Sequence, residues 1–242
     1  MRLTRVYVEA PLAPGRSCAL GGSAANHIMR VLRLRDGDAL TLFDGRGGEY
    51  GARITSFRKD SVQVDVQEHR AIERESTLEV TLAQGISRGE RMDWVMQKAT
   101  ELGVRRILPV LTERSVVRLD ERQSERKVLH WRAIVIAACE QCGRNRVPEV
   151  AAPLGVYEAL RAVDADATRV LLSPTGTLRA RDLASPAKIA LLIGPEGGLS
   201  DNEEEVAVSA GFRQVQLGPR ILRTETAAIA ALTAFQHAFG DL

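Results

Sequence analysis

Two glycine–proline stretches hold the residues of this chain that are best suited to binding or converting a ligand. The first, residues 194–198, reads G-P-E-G-G and follows a short apolar run at residues 189–193. Glycines let a backbone approach a ligand closely, and open parallel sheets bind ligands at the carboxyl ends of their strands. Ser200 and Glu203 then match the S-x-x-E pattern of a helix capping box. The stretch predicts a strand, a loop and a helix, with the loop acting either as a ligand site or as an ordinary tight turn.

The second stretch, residues 217–227, reads L-G-P-R-I-L-R-T-E-T-A and follows another apolar segment at residues 212–217. If the two strands are neighbours in one sheet, the loops that follow them lie side by side. Neither loop contains G-x-G-x-x-G or G-x-x-x-x-G-K-[ST], which excludes the common dinucleotide and P-loop interpretations. The two stretches therefore predict a ligand site of another kind.

The two motifs at this spacing resemble a known family. I-G-P-E-G-G-L-S followed by L-G-x-R-I-L-R-T-E-T-A is similar to bacterial methyltransferases of the SPOUT superfamily, which modify N3 of a uridine in 16S ribosomal RNA. The resemblance extends to residues 98–103 (K-A-T-E-L-G) and 140–144. It implies S-adenosylmethionine as cofactor, 16S ribosomal RNA as partner and a homodimer. It also implies an α/β domain with a trefoil knot, preceded by a small PUA-like β-barrel that binds RNA.

Under this resemblance, three knot loops hold the cofactor. S-adenosylmethionine carries an adenine and a sulfonium charge, so its pocket needs backbone hydrogen-bonding groups, small residues and apolar walls. The predicted cofactor-binding residues are Leu172, Ser173, Ile193, Gly194, Pro195, Gly197, Gly198, Leu217, Gly218, Ile221, Leu222, Thr226 and Ala227.

Methylation of uridine N3 requires removal of the N3 proton and stabilisation of the resulting anion. The candidate catalytic residues are Arg144, Glu196, Arg223 and Glu225. Glu225 is a candidate base, and Arg223 or Arg144 could stabilise the anion or bind a phosphate. Glu196 could also act as base, although a carboxylate in a glycine loop can equally accept backbone hydrogen bonds. Another RNA target, such as a ribose 2′-hydroxyl or a transfer RNA base, and a non-catalytic RNA-binding assembly factor are the alternative functions.

Basic residues near the amino terminus are candidates for RNA binding. His27, Arg30 and Arg33 are spaced three apart, so they can share one face of a helix. A solvated charged face would show the same pattern, and the resemblance favours RNA. The predicted RNA-binding residues are Arg5, His27, Arg30, Arg33 and Arg35.

Composition limits the class of protein. The 242 residues are 45% hydrophobic and 26% charged, as in ordinary globular proteins. A net charge of only +2 and 4% aromatic residues do not by themselves mark a nucleic-acid surface. Cys139 and Cys142 form a C-x-x-C without a second pair, which argues against a metal site. No apolar run reaches membrane-spanning length, so we expect a cytoplasmic protein with no membrane partner.

The elements that must position these residues fall into two predicted domains. Residues 1–72 contain short alternating strands and a helix at 23–32, which predicts a small barrel; the resemblance implies that this barrel is PUA-like. Residues 69–77 form a polar linker. Residues 73–242 alternate strands with helices, which predicts a mainly parallel sheet. The predicted strands are 78–83, 106–110, 168–173, 189–193 and 212–217, and the predicted helices are 88–102, 124–142 and 224–239. Alanine is frequent in the last helix, which predicts its burial within the fold or at a dimer contact.

Overall fold

The computed structural model describes residues 4–115 and 117–242. The chain divides into two compact units. The first runs to Glu75 and also contains Ile136–Val147, whereas the second contains Ser76–Val135 and Pro148–Leu242. The domain division predicted between residues 72 and 73 lies near the first of these breaks. The inclusion of Ile136–Val147 in the first unit has no local signal in the sequence.

The first unit contains a five-stranded sheet. Its strands are β1 (Arg5–Tyr7), β2 (Ser17–Gly21), β3 (Ala39–Phe43), β4 (Glu49–Phe57) and β5 (Ser61–Arg70). They lie in the order β1-β3-β4-β5-β2, and β1 and β3 are parallel while the other pairs are antiparallel. The alternating valines of β5, Val62, Val64 and Val66, are buried in the core of this sheet. The predicted β-rich character of the region is confirmed.

The helix predicted at residues 23–32 is only partly α-helical. α1 spans Gly22–Asn26, and a π-helical segment, His27–Leu32, follows and ends at Arg33 in the left-handed region (φ 54°). The wider π turn rotates the side chains away from α-helical spacing. Ile28 is buried while Val31 is 54% exposed, so these two residues, which an α-helix would place on one side, do not share a buried face.

The second unit is built on a parallel sheet of seven strands. They are β6 (Glu79–Gly85), β7 (Val104–Leu111), β8 (Glu149–Val150), β9 (Leu154–Gly155), β10 (Thr168–Leu172), β11 (Lys188–Ile193) and β12 (Arg213–Val215). The order is β12-β10-β11-β6-β7-β8, with β9 also paired to β7. All these pairs are parallel, which confirms the predicted sheet. The trefoil knot implied by the family resemblance stays a prediction.

The two strands that precede the motif loops are not neighbours, so the condition under which their loops would lie side by side is not met. β10 lies between β11 and β12 and pairs with both. Because all three strands are parallel, their carboxyl ends still meet at one edge of the sheet. The loops after β10, β11 and β12 therefore converge there, with the β10 loop in the middle.

The remaining helices are α2 (Glu90–Glu101), α3 (Glu121–Cys142), α4 (Val156–Ala162), α5 (Asp201–Ser209) and α6 (Thr224–Phe239). α5 begins with the predicted capping box: the Glu203 N–H donates to Ser200 Oγ, and the Ser200 N–H donates to Glu203 Oε2. α6 has the predicted bounds, and Ala228, Ala231 and Phe235 are buried in the second unit. Burial of α6 within the fold is therefore confirmed, while the dimer contact stays a prediction. Among the residues placed by the structure, no helix is long and apolar enough to cross a membrane.

Candidate cofactor and active site

A cavity of about 560 Å³ lies in the second unit, where the loops after β10, β11 and β12 converge on the first turn of α6. Its volume is in the range of small-molecule sites. Every predicted cofactor-binding residue lines the cavity except Thr226, which is exposed on α6. The predicted catalytic residues Glu196, Arg223 and Glu225 also line it. The residues chosen from two separate motifs thus share one cavity.

The glycine loop after β11 has a backbone that favours glycine at one position. Gly198 has φ +71° in the left-handed region, and its N–H donates to the Pro195 carbonyl at 2.9 Å, closing a tight turn. Gly197 has no such φ, and a Cβ built on it would lie 3.1 Å from the carbonyl oxygen of Arg114. The small size of Gly197 therefore serves packing within the chain itself.

The carboxyl end of β6 supports this loop through two residues that sequence reasoning missed. A Cβ on Gly85 would lie 2.5 Å from Pro195 Cδ, so only glycine lets the loop pass here. Buried Gln84 donates from Nε2 to Thr224 Oγ1 at 2.9 Å, and the Thr224 hydroxyl donates to the Gly194 carbonyl at 2.7 Å. Strand β6, the glycine loop and α6 are thereby joined. The sequence signal that could have identified these two residues is their position, Gln84-Gly85, at the end of a buried strand of the same sheet.

The charged wall of the cavity consists of one arginine between two glutamates. Arg91 Nη1 donates to Glu196 Oε1 at 2.7 Å, and the Arg88 N–H donates to the same oxygen at 3.0 Å. Arg91 Nε lies 3.9 Å from Glu225 Oε1, which is beyond hydrogen-bond distance. Glu225 Oε2 is buried and receives no hydrogen bond from the residues that the structure describes. The wall therefore presents one occupied carboxylate and one with an unpaired oxygen.

The pKa values follow these contacts. Burial, the largest single influence on Glu196, raises the pKa of its carboxyl group. The Arg88 N–H, the backbone of Glu196 itself and Arg91 together outweigh burial, so the net pKa lies below its usual value. The hydrogen bond to Glu196 is the main cause that raises the pKa of Arg91. Both groups are therefore charged at neutral pH.

The mouth of the cavity carries two arginines around an exposed apolar residue. The side chains of Arg220 and Arg223 are exposed and have no ion-pair or hydrogen-bond partner among the described residues. Ile221 is 86% exposed, so this predicted apolar wall stands largely open at the mouth. The arginine side chains are free to meet an anionic ligand.

Arg144 and Arg5 lie elsewhere, inside the first unit. Arg144 is 4% exposed and donates from Nε and Nη2 to the two carboxylate oxygens of Glu75. Arg5 is 2% exposed, pairs with Glu49, and donates to Asn145 Oδ1 at 2.6 Å. Because both guanidinium groups are committed to internal partners, we omit Arg144 from the catalytic set and Arg5 from the RNA-binding set proposed below.

The other predicted RNA-binding residues lie on the surface of the first unit. Arg30, Arg33 and Arg35 are exposed, and no partner for their side chains occurs among the described residues. His27 is less free, because its Nδ1 lies 3.5 Å from Glu140 Oε2. Arg30 lies within the π-helical segment and Arg33 follows directly after it, so these side chains do not have the α-helical arrangement that their spacing predicted.

Cys139 of the C-x-x-C lies in surroundings that suppress the reactivity of its thiol. Cys139 is buried in the first unit, and burial raises the pKa of its thiol to about 12. Such a thiol is not a nucleophile at neutral pH. Within residues 4–115 and 117–242, no group of three or more His, Cys, Asp or Glu side chains is arranged to hold a metal ion.

Comparison with known proteins identifies the family. Residues 74–236 match the family described as RNA methyltransferase domain, and residues 20–67 match the RNA methyltransferase PUA domain. Ribosomal RNA small subunit methyltransferase E of Buchnera aphidicola (from Schizaphis graminum) is 36% identical over 100% of this chain and 98% of its own. The enzyme of the same name from Bacillus subtilis is 34% identical, with 98% and 94% covered.

Solved structures agree over the whole length. A methyltransferase from Legionella pneumophila, in complex with S-adenosylmethionine, is 43% identical with a TM-score of 0.96, and both chains are covered completely. Ribosomal RNA small subunit methyltransferase E from Neisseria gonorrhoeae, bound to S-adenosylmethionine, is 40% identical with a TM-score of 0.92 and 99% of each chain covered. The chain therefore belongs to the ribosomal RNA small subunit methyltransferase E family.

Proposed function

We propose that this protein transfers a methyl group from S-adenosylmethionine to N3 of a uridine in 16S ribosomal RNA. The observation that carries the proposal is the cavity that gathers both motifs at the carboxyl ends of three adjoining parallel strands. The relatives solved with S-adenosylmethionine, at 43% and 40% identity, support this choice of cofactor.

The cavity fits the cofactor chemically. Loop backbone at Gly194, Gly198 and Gly218 is accessible to an adenine edge, and Ile193 and Leu222 supply apolar surface. The unpaired oxygen of the Glu225 carboxylate suits a ligand that brings positive charge or hydroxyl donors. When bound, S-adenosylmethionine supplies an electrophilic methyl group on a sulfonium. We assign cofactor binding to the predicted set without Thr226.

Glu225 is the better candidate for the proton acceptor. Its Oε2 is buried and unpaired, so it can accept the N3 proton of uridine and hold it as the protonated carboxyl group. Glu196 is already held by the Arg88 N–H and by Arg91, which favours a role in fixing the loop. Arg223, exposed at the mouth, can stabilise the anion that forms on the uracil ring or bind a neighbouring phosphate.

Binding of 16S ribosomal RNA is assigned to Arg30, Arg33 and Arg35 of the first unit, with His27 beside them. Their exposed side chains can neutralise phosphates and release counterions. The match of residues 20–67 to an RNA methyltransferase PUA domain supports this assignment. The proposal includes an isologous homodimer and action in the cytoplasm on ribosomal RNA.

The test is mass spectrometry of 16S ribosomal RNA from a strain that lacks the gene. We expect one uridine to lose a base methyl group and to regain it when the wild-type gene is restored. Calorimetry of the purified protein with S-adenosylmethionine accompanies it, and we expect saturable binding. Loss of a ribose or transfer RNA methyl group instead would redirect the target. Unchanged RNA methylation in the deletion strain, together with absent cofactor binding, would reject the enzyme assignment.

A further inference from the structure

Arg91 connects two segments of the cavity wall that are far apart in the chain. It lies in the first turn of α2, after the end of β6, and its side chain is 43% exposed. Glu196 belongs to the glycine loop after β11, and Glu225 belongs to the first turn of α6. Arg91 reaches both, at 2.7 Å and 3.9 Å, respectively. No sequence motif identified above contains Arg91.

The Arg91 guanidinium makes a hydrogen bond to the Glu196 carboxylate but only a longer contact with the Glu225 carboxylate. Glu196 Oε1 accepts hydrogen bonds from the Arg88 N–H and from Arg91 Nη1. Glu225 receives only a longer electrostatic contact on Oε1, and its Oε2 has no donor among the described residues. A carboxylate held by two charge-assisted or backbone hydrogen bonds is an anchor, whereas an unpaired buried oxygen is available to a ligand.

We propose that Arg91 is a positioning residue of the cofactor cavity: it anchors the glycine loop through Glu196 and leaves one Glu225 oxygen for the bound ligand. The identity of that ligand as S-adenosylmethionine with its uridine rests on the function proposed above. Glu196 lies between Pro195 and Gly197, so fixing its carboxylate also fixes the loop on both sides. Loss of the anchor loosens the loop that must already be in place when the cofactor binds.

The shape of arginine suits this position. A planar guanidinium presents Nη1 to one carboxylate and Nε toward another in a fixed geometry, which a lysine ammonium cannot reproduce. Arg91→Lys keeps the charge and one donor and is therefore expected to recover part of what Arg91→Met loses. Because the side chain is 43% exposed, neither variant should impair folding, which a thermal melt checks.

The decisive experiment is a double-mutant cycle on cofactor affinity. Calorimetry gives the Kd for S-adenosylmethionine of the full chain and of Arg91→Met, Glu196→Gln and the double variant. Each single change should raise Kd about tenfold, the effect of losing one charge-assisted hydrogen bond, and the double variant should be no weaker than Arg91→Met. The methyl-transfer rate at saturating cofactor should change far less than Kd. Additive effects, or an unchanged Kd with weakened RNA binding, would overturn the proposal.

A matched pair in the same unit provides the control. Arg105 Nη1 lies 2.6 Å from Glu79 Oε1, and these residues belong to β7 and β6, near the amino ends of the strands. Arg105→Met and Glu79→Gln remove the same groups at the opposite edge of the sheet from the cavity. Their cofactor Kd should equal that of the wild type.

A titration that needs no ligand separates this proposal from the proposed function. Carbon-13 NMR of labelled glutamate side chains follows the Glu196 carboxyl group as the pH is lowered, with Glu196→Gln giving the assignment. Its pKa should be below the usual value in the wild type and should rise in Arg91→Met, because a guanidinium donor is lost. An unchanged Glu196 titration would reject the anchor even if the protein proves to be the proposed enzyme. A rise would support it even if the RNA target proves to be different.

Discussion

Two clusters of arginine and glutamate, one in each unit, show how the same residue types serve different ends. In the first unit, the side chains of Arg5 and Glu49 are 2% and 7% exposed, and Arg144 is paired with Glu75. In the cavity of the second unit, the side chains of Arg91, Glu196 and Glu225 are 43%, 26% and 17% exposed. The guanidinium groups of the first cluster are shielded from water, although Glu75 is 23% exposed, and the second cluster opens to a cavity.

The difference lies in what the charged atoms face as well as in burial. Charges removed from water are tolerated only with close partners, and the paired Arg5 and Arg144 guanidiniums meet that condition. In the cavity, Glu225 keeps a buried oxygen without a donor among the described residues, a cost that a bound ligand would offset. Arg5 Nε is also buried without a hydrogen-bond partner among the described residues, but Arg5 is only 2% exposed, whereas the unpaired Glu225 oxygen belongs to the wall of a cavity. A charged residue is therefore assigned to structure or to chemistry by what its unpaired atoms face and not by its type.

The largest expected effect comes from breaking the buried cluster. Glu49→Ala leaves the Arg5 guanidinium buried without its carboxylate, so the free energy of unfolding should fall by about 3–5 kcal/mol. Urea denaturation followed by circular dichroism measures the loss, with Arg105→Met as a surface control expected to change stability by less than about 1 kcal/mol. A stable Glu49→Ala protein that fails to methylate RNA would contradict the structural role of this cluster.

The next largest effect is expected in the cavity, where a substitution should lower the methyl-transfer rate without lowering the stability of the protein. Glu225→Gln removes the proposed proton acceptor, and the methyl-transfer rate at saturating substrates should fall by about 10²–10⁴. The change keeps the size of the side chain, so the melting temperature should remain close to that of the wild type. A full rate in Glu225→Gln, with Glu196→Gln inactive, would exchange the roles of the two glutamates.

A third variant acts on the cavity through packing alone. In Gly85→Ala, the new Cβ would meet Pro195, so the glycine loop must shift at an overpacking cost of about 1–3 kcal/mol. Cofactor Kd should rise accordingly in calorimetry. Gly155→Ala in the same unit is the control, because its Cβ would have ordinary contact distances and its φ is −66°. Equal cofactor affinity in both variants would mean that the loop position does not govern binding.

The exposed arginines of the first unit provide the contrast to its buried pair. Arg30→Gln with Arg33→Asn should flatten the slope of log affinity for single-stranded 16S RNA fragments against log salt by about 1.4, since two fewer counterions are released. Asparagine is chosen because Arg33 has φ 54°, which asparagine tolerates. Arg16→Gln with Arg58→Asn removes the same charge elsewhere on the unit. If both double variants lower the slope equally, binding is a general charge effect.

Local patterns in the sequence were sufficient for much of this architecture. α6 has the predicted bounds, the Ser200–Glu203 capping box forms, and the strand before each glycine loop is present. Each depends on residues within a few positions of one another, so a linear pattern contains the information. The motif residues reach one cavity because parallel strands end at one edge of a sheet.

Long-range pairing could not be predicted in the same way. Nothing near Arg144 in the sequence indicates that Glu75 will be its partner, or that Ile136–Val147 joins the first unit. The insertion of β10 between β11 and β12 is likewise a choice among sheet orders that local periodicity does not distinguish. Arg91 was missed because it becomes part of the site only when β6 pairs with β11.

The smallest expected effect is a difference in acid sensitivity that tests the anchor role of Glu196. The pKa of Glu196 is lowered in the folded protein from an ordinary value of 4.5, so the unfolded chain binds the proton more readily. The stabilisation is therefore complete above the ordinary pKa and is lost as pH falls through the lowered pKa.

Melting temperatures of wild type and Glu196→Gln should differ by a constant amount near neutral pH and converge in acid. In an Arg91→Met background the gap should be smaller and should be fully closed at a higher pH, because the folded-state pKa of Glu196 rises when the guanidinium no longer favours the carboxylate. A gap of equal size with and without Arg91 would show that the backbone N–H groups hold Glu196 unaided, and the charged wall would then resemble the exposed pairs of the surface.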